Sequence, residues 1–154
     1  MPTTNYEVLL PLMDCKEEKE IVRFDISNVP LYLWETKSTS KLVEVADKVW
    51  NCSFILIEYI LAHPQDFQGR RCLDVGSGTG IIGLYAALSI QSTFLVLTDY
   101  SERILSQLQQ NIRLNSLESR VSVALLDLFQ PISYVGPPLN GFDIFFAGDM
   151  WFVF

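Results

Sequence analysis

The stretch Arg71-Cys72-Leu73-Asp74-Val75-Gly76-Ser77-Gly78-Thr79-Gly80-Ile81-Ile82-Gly83 decides how the rest of the chain is read. Cys72 to Val75 reads as a short buried strand, and Ile81 to Ile90 as a helix that is apolar nearly all round. Between them glycine stands at alternate positions, Gly76, Gly78 and Gly80. A strand, a glycine turn and a helix in that order open a Rossmann-like βαβ unit. Lacking Cβ atoms, such a turn bends sharply and lets the backbone come close to a ligand. The helix that follows offers free N–H groups and the positive end of its dipole.

Asp74 narrows the ligand. A carboxylate beside a pyrophosphate would be repelled, whereas it suits a ligand with a cationic or amine-bearing end. A second register competes: Gly78-Thr79-Gly80-Ile81-Ile82-Gly83 satisfies the G-x-G-x-x-G pattern of NAD-type dinucleotide sites. Asp74 argues against it. A glycine turn that holds no ligand is the third reading.

Outward from this stretch the order is β-α-β-α-β-loop-β. Thr93 to Thr98 is a continuous apolar run of the parallel-sheet type, ending in Asp99. Asp99 lies 99 − 78 = 21 residues after Gly78, close to the ~20 expected of an acid that accepts ribose hydroxyls. A cap on the next helix is the plainer role for it. Ser101 to Asn115 reads as a helix capped by Ser101, with Ile104, Leu105, Leu108, Ile112 and Leu114 inward and Glu102, Gln107, Gln109, Gln110 and Arg113 outward. Val121 to Leu126 is a third strand, ending in Asp127. Residues 130–141, with three prolines and two glycines, are loop, and Phe142 to Ala147 is a fourth strand. Upstream, Phe54 to Ala62 reads as a helix capped by Asn51 or Ser53 and stopped before Pro64, with 63–69 a link. Tyr6 to Leu12 and Ile21 to Ile26 read as a hairpin-like pair, Asn28-Val29-Pro30 as a break and Leu31 to Trp34 as extended. The division is an N-terminal extension over 1–45 and a core over 46–154, an α/β Rossmann-like three-layer sandwich with a mostly parallel sheet.

Composition excludes several classes. No uncharged run in these 154 residues reaches the ~18 of a membrane helix, and the first residues lack the basic and apolar parts of a signal peptide. The chain has three cysteines, one histidine (His63) and no C-x-x-C pair, so no metal site is expected. Reduced thiols used as core filler fit the cytoplasm or nucleus. A net charge of −7 argues against direct nucleic-acid binding and would attract a basic protein partner.

The pattern Asp-x-Gly-x-Gly-x-Gly at 74–80 resembles motif I of the class I (seven-β-strand) S-adenosylmethionine-dependent methyltransferases. Val49-Trp50 before a helix, Thr98-Asp99, Asn111-x-x-x-Asn115, and Phe142-Asp143-Ile144 running into Gly148-Asp149-Met150-Trp151-Phe152 are similar to features of that fold's family-16 group, mostly protein-lysine methyltransferases. The link Asp66-Phe67-Gln68-Gly69 is similar to that of one of its members. The resemblance covers about residues 45–152. It implies S-adenosylmethionine as cofactor, a protein substrate and a spatial strand order of 3-2-1-4. Asp74, Gly76, Gly78 and Gly80 would hold the methionyl end, Asp99 the ribose and Asp127 the adenine amino group, though a surface acid is the plainer reading of Asp127. Trp50 would pack on the cofactor, shape the acceptor channel or serve as a buried anchor. Asp149 would attract and orient the acceptor amine.

Two features depart from the pattern. Phe152 replaces the tyrosine of the family's Asp-x-x-Tyr signature, and the family's three later strands are missing, so the chain reads as a cofactor half truncated after its fourth strand. That strand would be an apolar edge open to self-association. Three functions follow: a protein-lysine methyltransferase, an inactive cofactor-binding or partner-binding fragment of one, and an NAD-type oxidoreductase half-domain.

Overall fold

The computed structural model describes residues 4–12, 19–36, 45–91, 93–130 and 134–148. Three antiparallel strands come first: β1 (Thr4–Leu12), β2 (Lys19–Ile26) and β3 (Val29–Thr36), in the order β1-β2-β3. The expected hairpin is therefore two strands of a three-stranded meander. Its second connection is the pair Ser27-Asn28, both at positive φ (50° and 65°), the geometry of a tight two-residue hairpin turn. The break expected at Asn28-Val29-Pro30 shrinks to this turn. Pro30 is tolerated because it shares parity with Tyr32 and Trp34, whose N–H groups point away from β2, so no ladder bond is lost.

A short 3-10 turn, Val45–Asp47, leads to helix α1 (Asn51–Ala62). This helix starts earlier than the sequence suggests. Trp50 is its N-cap residue without a side-chain bond, Asn51 is already helical and Ser53 is buried, so neither expected cap is used. The link beyond His63 also folds, into the single turn α2 (Pro64–Phe67), with Pro64 where its fixed φ suits a helix start.

Strand β4 (Arg71–Val75), helix α3 (Ile81–Ser89), strand β5 (Phe94–Asp99), helix α4 (Glu102–Leu114), strand β6 (Val121–Leu125) and strand β7 (Ile144–Phe146) complete the chain. The four strands form a parallel sheet ordered β6-β5-β4-β7, the expected 3-2-1-4 when its strands are counted from β4. β7 is shorter than the apolar run suggests because Asp143 pairs irregularly, giving its own N–H to the Arg71 carbonyl and accepting the Arg71 N–H on its side chain.

One face of the parallel sheet packs α3 and α4. That core, with Cys72, Leu95, Leu97 and Val121 beneath Leu84, Ile104 and Leu108, continues without a break into Val22, Phe24, Leu31 and Leu33 of the meander. The helices thus lie between two sheets, and α3 is buried along nearly its whole length. On the other face Leu73, Val96, Ala124 and Leu126 form a smaller cluster under Tyr134 and Phe142.

Gln107 departs from the helical pattern. Expected on the outer face of α4, it is 1% exposed. Its amide donates to the Trp34 carbonyl at 2.9 Å and accepts from the Lys19 ammonium at 3.3 Å. The outer face of α4 meets the free edge of β3, and a strand edge asks for polar partners.

Candidate functional site

The site lies at the carboxyl ends of β4, β5 and β6, where open α/β sheets carry their ligands. Gly76, Gly78 and Gly80 all take positive φ (65°, 54° and 83°), a region other residues enter at a cost. Two of them also lack room. A Cβ on Gly80 would come within 2.7 Å of Leu108 Cδ2, and one on Gly78 within 3.2 Å of the Ala46 carbonyl oxygen. Gly83, the last glycine of the competing register, is a packing residue, since a Cβ there would meet Leu97 Cδ2 at 2.4 Å.

The turn is knitted by Ser77, to which sequence reasoning gave no role, and Thr98, which it noted only as part of a family-like pair. The Ser77 N–H donates to the Thr98 carbonyl (2.8 Å) and the Gly80 N–H to the Ser77 carbonyl (2.8 Å). The Ser77 and Thr98 hydroxyls both donate to the Asp74 main-chain carbonyl (3.0 and 2.7 Å), and the Thr98 N–H donates back to Ser77 Oγ (3.0 Å). A serine between glycines and a threonine at a strand end are the only sequence signals of this network.

Asp74 is 1% exposed, and neither carboxylate oxygen has a hydrogen-bond partner among the described residues. Burial pushes its pKa up to about 8. The Ser77 hydroxyl and the Gly83 N–H lie close and pull the other way, but the hydroxyl is committed to the main chain. The like charge of Asp99 adds a smaller upward push. A buried carboxyl of this kind is completed by a donor or a cation.

Asp99 ends β5 at 4% exposure. It accepts the Gly78 N–H on Oδ2 (3.3 Å) and the Ser101 N–H on Oδ1 (3.1 Å). Ser101 is the N-cap residue of α4, as expected, but its own hydroxyl makes no capping bond. Asp127 stands two residues beyond β6, half-buried, and accepts the Phe129 N–H at 2.9 Å. The backbones of β5 and β6 meet there, through the Leu126 N–H on the Asp99 carbonyl (3.0 Å). The fold thus gathers Asp74, Gly76, Gly78, Gly80 and Asp99 around one hydrogen-bonded turn and sets Asp127 just beyond the end of the neighbouring strand.

Trp50 is 40% exposed at the head of α1, so the buried-anchor reading fails. The segment before it is clamped twice. Arg103 of α4 donates to both oxygens of the buried Asp47 at 2.8 Å, and Glu35 of β3 accepts the Val49 N–H at 2.9 Å. Between the clamps and the turn lies Ala46, against Gly78. Asp149, Trp151 and Phe152 lie outside the described residues. Gly148, the last one described, sits against Ile82 in the first turn of α3, since a Cβ there would be 2.7 Å from Ile82 Cδ1. Among the described residues no cluster could hold a metal ion. A cavity of about 450 Å³ opens near Arg71, Phe94 and Val121, at the amino ends of β4, β5 and β6 and so at the other end of the sheet from the turn.

Fold and turn together define a Rossmann-like α/β domain of methyltransferase type. Its fold is similar to that of SMU.776, described as a methyltransferase complexed with SAH (TM-score 0.52, 12% identity, 77% of this chain and 28% of that one). It is also similar to that of an O-methyltransferase described from Klebsiella pneumoniae (TM-score 0.51, 18% identity, 70% and 47%). Residues 26–153 match the family described as lysine methyltransferase, and the chain belongs to that family. It is 28% identical over 104 residues to calmodulin-lysine N-methyltransferase of Arabidopsis thaliana, covering 67% of this chain and 34% of the relative. It is 30% identical over 108 residues to human methyltransferase-like protein 22, covering 69% and 26%. EEF1A lysine methyltransferase 3 of Mus musculus is 34% identical over 80 residues, covering 52% and 33%. The chain therefore spans about a third or less of these relatives' lengths.

Proposed function

We propose that the chain binds S-adenosylmethionine in the glycine turn and forms the cofactor half of a protein-lysine methyltransferase. The observation that carries the reading is Asp74, whose carboxyl is buried without a hydrogen-bond partner beneath the turn. A cofactor with an ammonium group supplies what that carboxyl lacks. A pyrophosphate, which would meet Asp74 and Asp99 together, does not. Lysine as the acceptor rests on the family description and on the two relatives named as lysine methyltransferases.

When bound, the cofactor supplies a methyl group already activated on a sulfonium, so the chain's task is mainly orientation. Asp74 and the turn hold the amine-bearing end. Asp99, at the end of β5 beside Gly78, receives ribose hydroxyls. Asp127 accepts from the adenine amino group. Trp50, exposed at the head of α1, would pack on the cofactor or shape the acceptor channel. Asp149 follows Gly148, which lies beside α3, and its charge would attract the acceptor ammonium and align the amine once it has lost a proton.

Calorimetric titration of the purified chain with S-adenosylhomocysteine tests the reading, with NAD and the Asp99→Asn variant alongside. Saturable binding that the variant weakens by at least about tenfold, a change worth ~1.4 kcal/mol, with no response to NAD, is the expected result. A folded chain that ignores S-adenosylhomocysteine sinks it. Binding without methyl transfer to any lysine-bearing protein would leave the second reading, a cofactor-binding fragment without activity.

A further inference from the structure

We propose that Asn111 is a positioning residue for the cofactor turn, and that strand β3 acts on the site through it. The inference rests on the cofactor reading above. Asn111 is 0% exposed and sits in the third turn of α4. Its Oδ1 accepts the Trp34 N–H of β3 at 2.7 Å, and its Nδ2 donates to the Thr79 carbonyl at 2.9 Å. One side-chain amide therefore joins the edge of the meander to the residue between Gly78 and Gly80.

The peptide unit from Thr79 to Gly80 is held at both ends. Asn111 fixes its carbonyl, and its N–H donates to the Ser77 carbonyl at 2.8 Å. A glycine resists rotation of such a peptide very little by itself, so these bonds set its direction. That direction fixes where α3 begins and where its free N–H groups aim. Asn111 touches no ligand on this account and acts through Thr79.

The fold supplies its own controls. Gln107, Asn111 and Asn115 recur every four residues along α4 and its C-cap, a rise of ~6 Å, close to the ~6.8 Å between alternate residues of a strand. They line the free edge of β3. Gln107 donates to the Trp34 carbonyl (2.9 Å), and Asn115 accepts the Tyr32 N–H (2.9 Å) and donates to its carbonyl (2.6 Å). Of the three, only Asn111 also reaches the glycine turn.

The test compares Asn111→Asp with Gln107→Leu and Asn115→Ala in the full chain. Asn111→Asp keeps the acceptor for Trp34 and loses the amide donor to Thr79, and Asn111→Ser is the second variant should the buried acid prevent folding. Each is measured for S-adenosylhomocysteine affinity, thermal midpoint and hydrogen exchange over residues 78–84. The Asn111 variants should bind about tenfold more weakly and exchange faster in the turn, while the controls lose thermal stability yet bind within about twofold of wild type. If affinity tracks thermal midpoint alike in all variants and exchange in the turn is unchanged, the proposal is overturned. If wild type itself does not bind, the cofactor reading falls and exchange alone decides whether Asn111 sets the turn.

Discussion

A carboxyl buried as deeply as that of Asp74 opposes folding whenever it is charged. The folded chain keeps its proton up to about pH 8, while the ordinary value is 3.8. Between those values the folded state binds more protons than the unfolded one, so stability falls as pH rises and levels off above the folded value. Asp74→Asn should flatten that slope and stabilise the ligand-free chain at alkaline pH by a few kcal/mol, on the order expected for a shifted buried acid. Urea unfolding at about pH 5 and about pH 8.5 checks the sign. The same variant should lose S-adenosylhomocysteine binding, since stability and recognition are opposed at this residue. Wild-type affinity should rise as pH approaches 8, where Asp74 ionises readily to meet the ligand's ammonium. Gly80 makes a different demand. Gly80→Ala would force a Cβ into Leu108 at a φ of 83°, and a loss of about 1–3 kcal/mol in the same urea experiment is expected.

Elements clamp one another through polar groups, and those groups were the hardest part of the chain to read. Asp47 is 1% exposed and bound at both oxygens by Arg103, tying the segment over Gly78 to α4. Arg103→Met would strand that buried charge. Because the Arg103 side chain is 32% exposed, a loss at or below about 3 kcal/mol is expected, the low end for broken buried pairs. Adding Asp47→Asn should recover part of it, and a double-mutant cycle in urea measures the coupling. Strand β4, the glycine turn, α3, β5 and β6 were legible because each carries a local signal: an apolar run, a glycine spacing or a helical stripe. Asp74 and Asp99 were legible from their spacing to the glycines. Gln107, Asp47 and Arg103 were not, because their partners lie 73 and 56 residues away and no local pattern marks a polar side chain for burial. Asn111 and Asn115 drew notice only as a family-like motif. The structure gives their physical reason, the free edge of β3. The early start of α1 was missed because its N-cap residue, Trp50, makes no side-chain capping bond.

At the scale of the whole molecule, two sheets share one core but leave edges. Among the described residues β7 pairs with β4 on one side and with no strand on the other. It is three residues long, Phe145 is 54% exposed, and Phe142 stacks edge-on against it at 6.0 Å. Asp143, just before the strand, already accepts the Arg71 N–H. Among the described residues, β7 carries none of the lysines or prolines that blunt natural edges. A net charge of −7 keeps copies apart at long range, but over only ~8 Å at physiological salt. Self-association through β7 should therefore strengthen as salt rises, the opposite of an association held by ion pairs. Phe145→Lys should weaken it by at least about tenfold without unfolding the chain, since an exposed edge position tolerates a charge. Sedimentation velocity over a range of concentration and salt decides the matter. A wild-type chain that stays monomeric at every salt concentration would overturn association through β7, and an association that salt dissolves would place the contact on charged surface elsewhere.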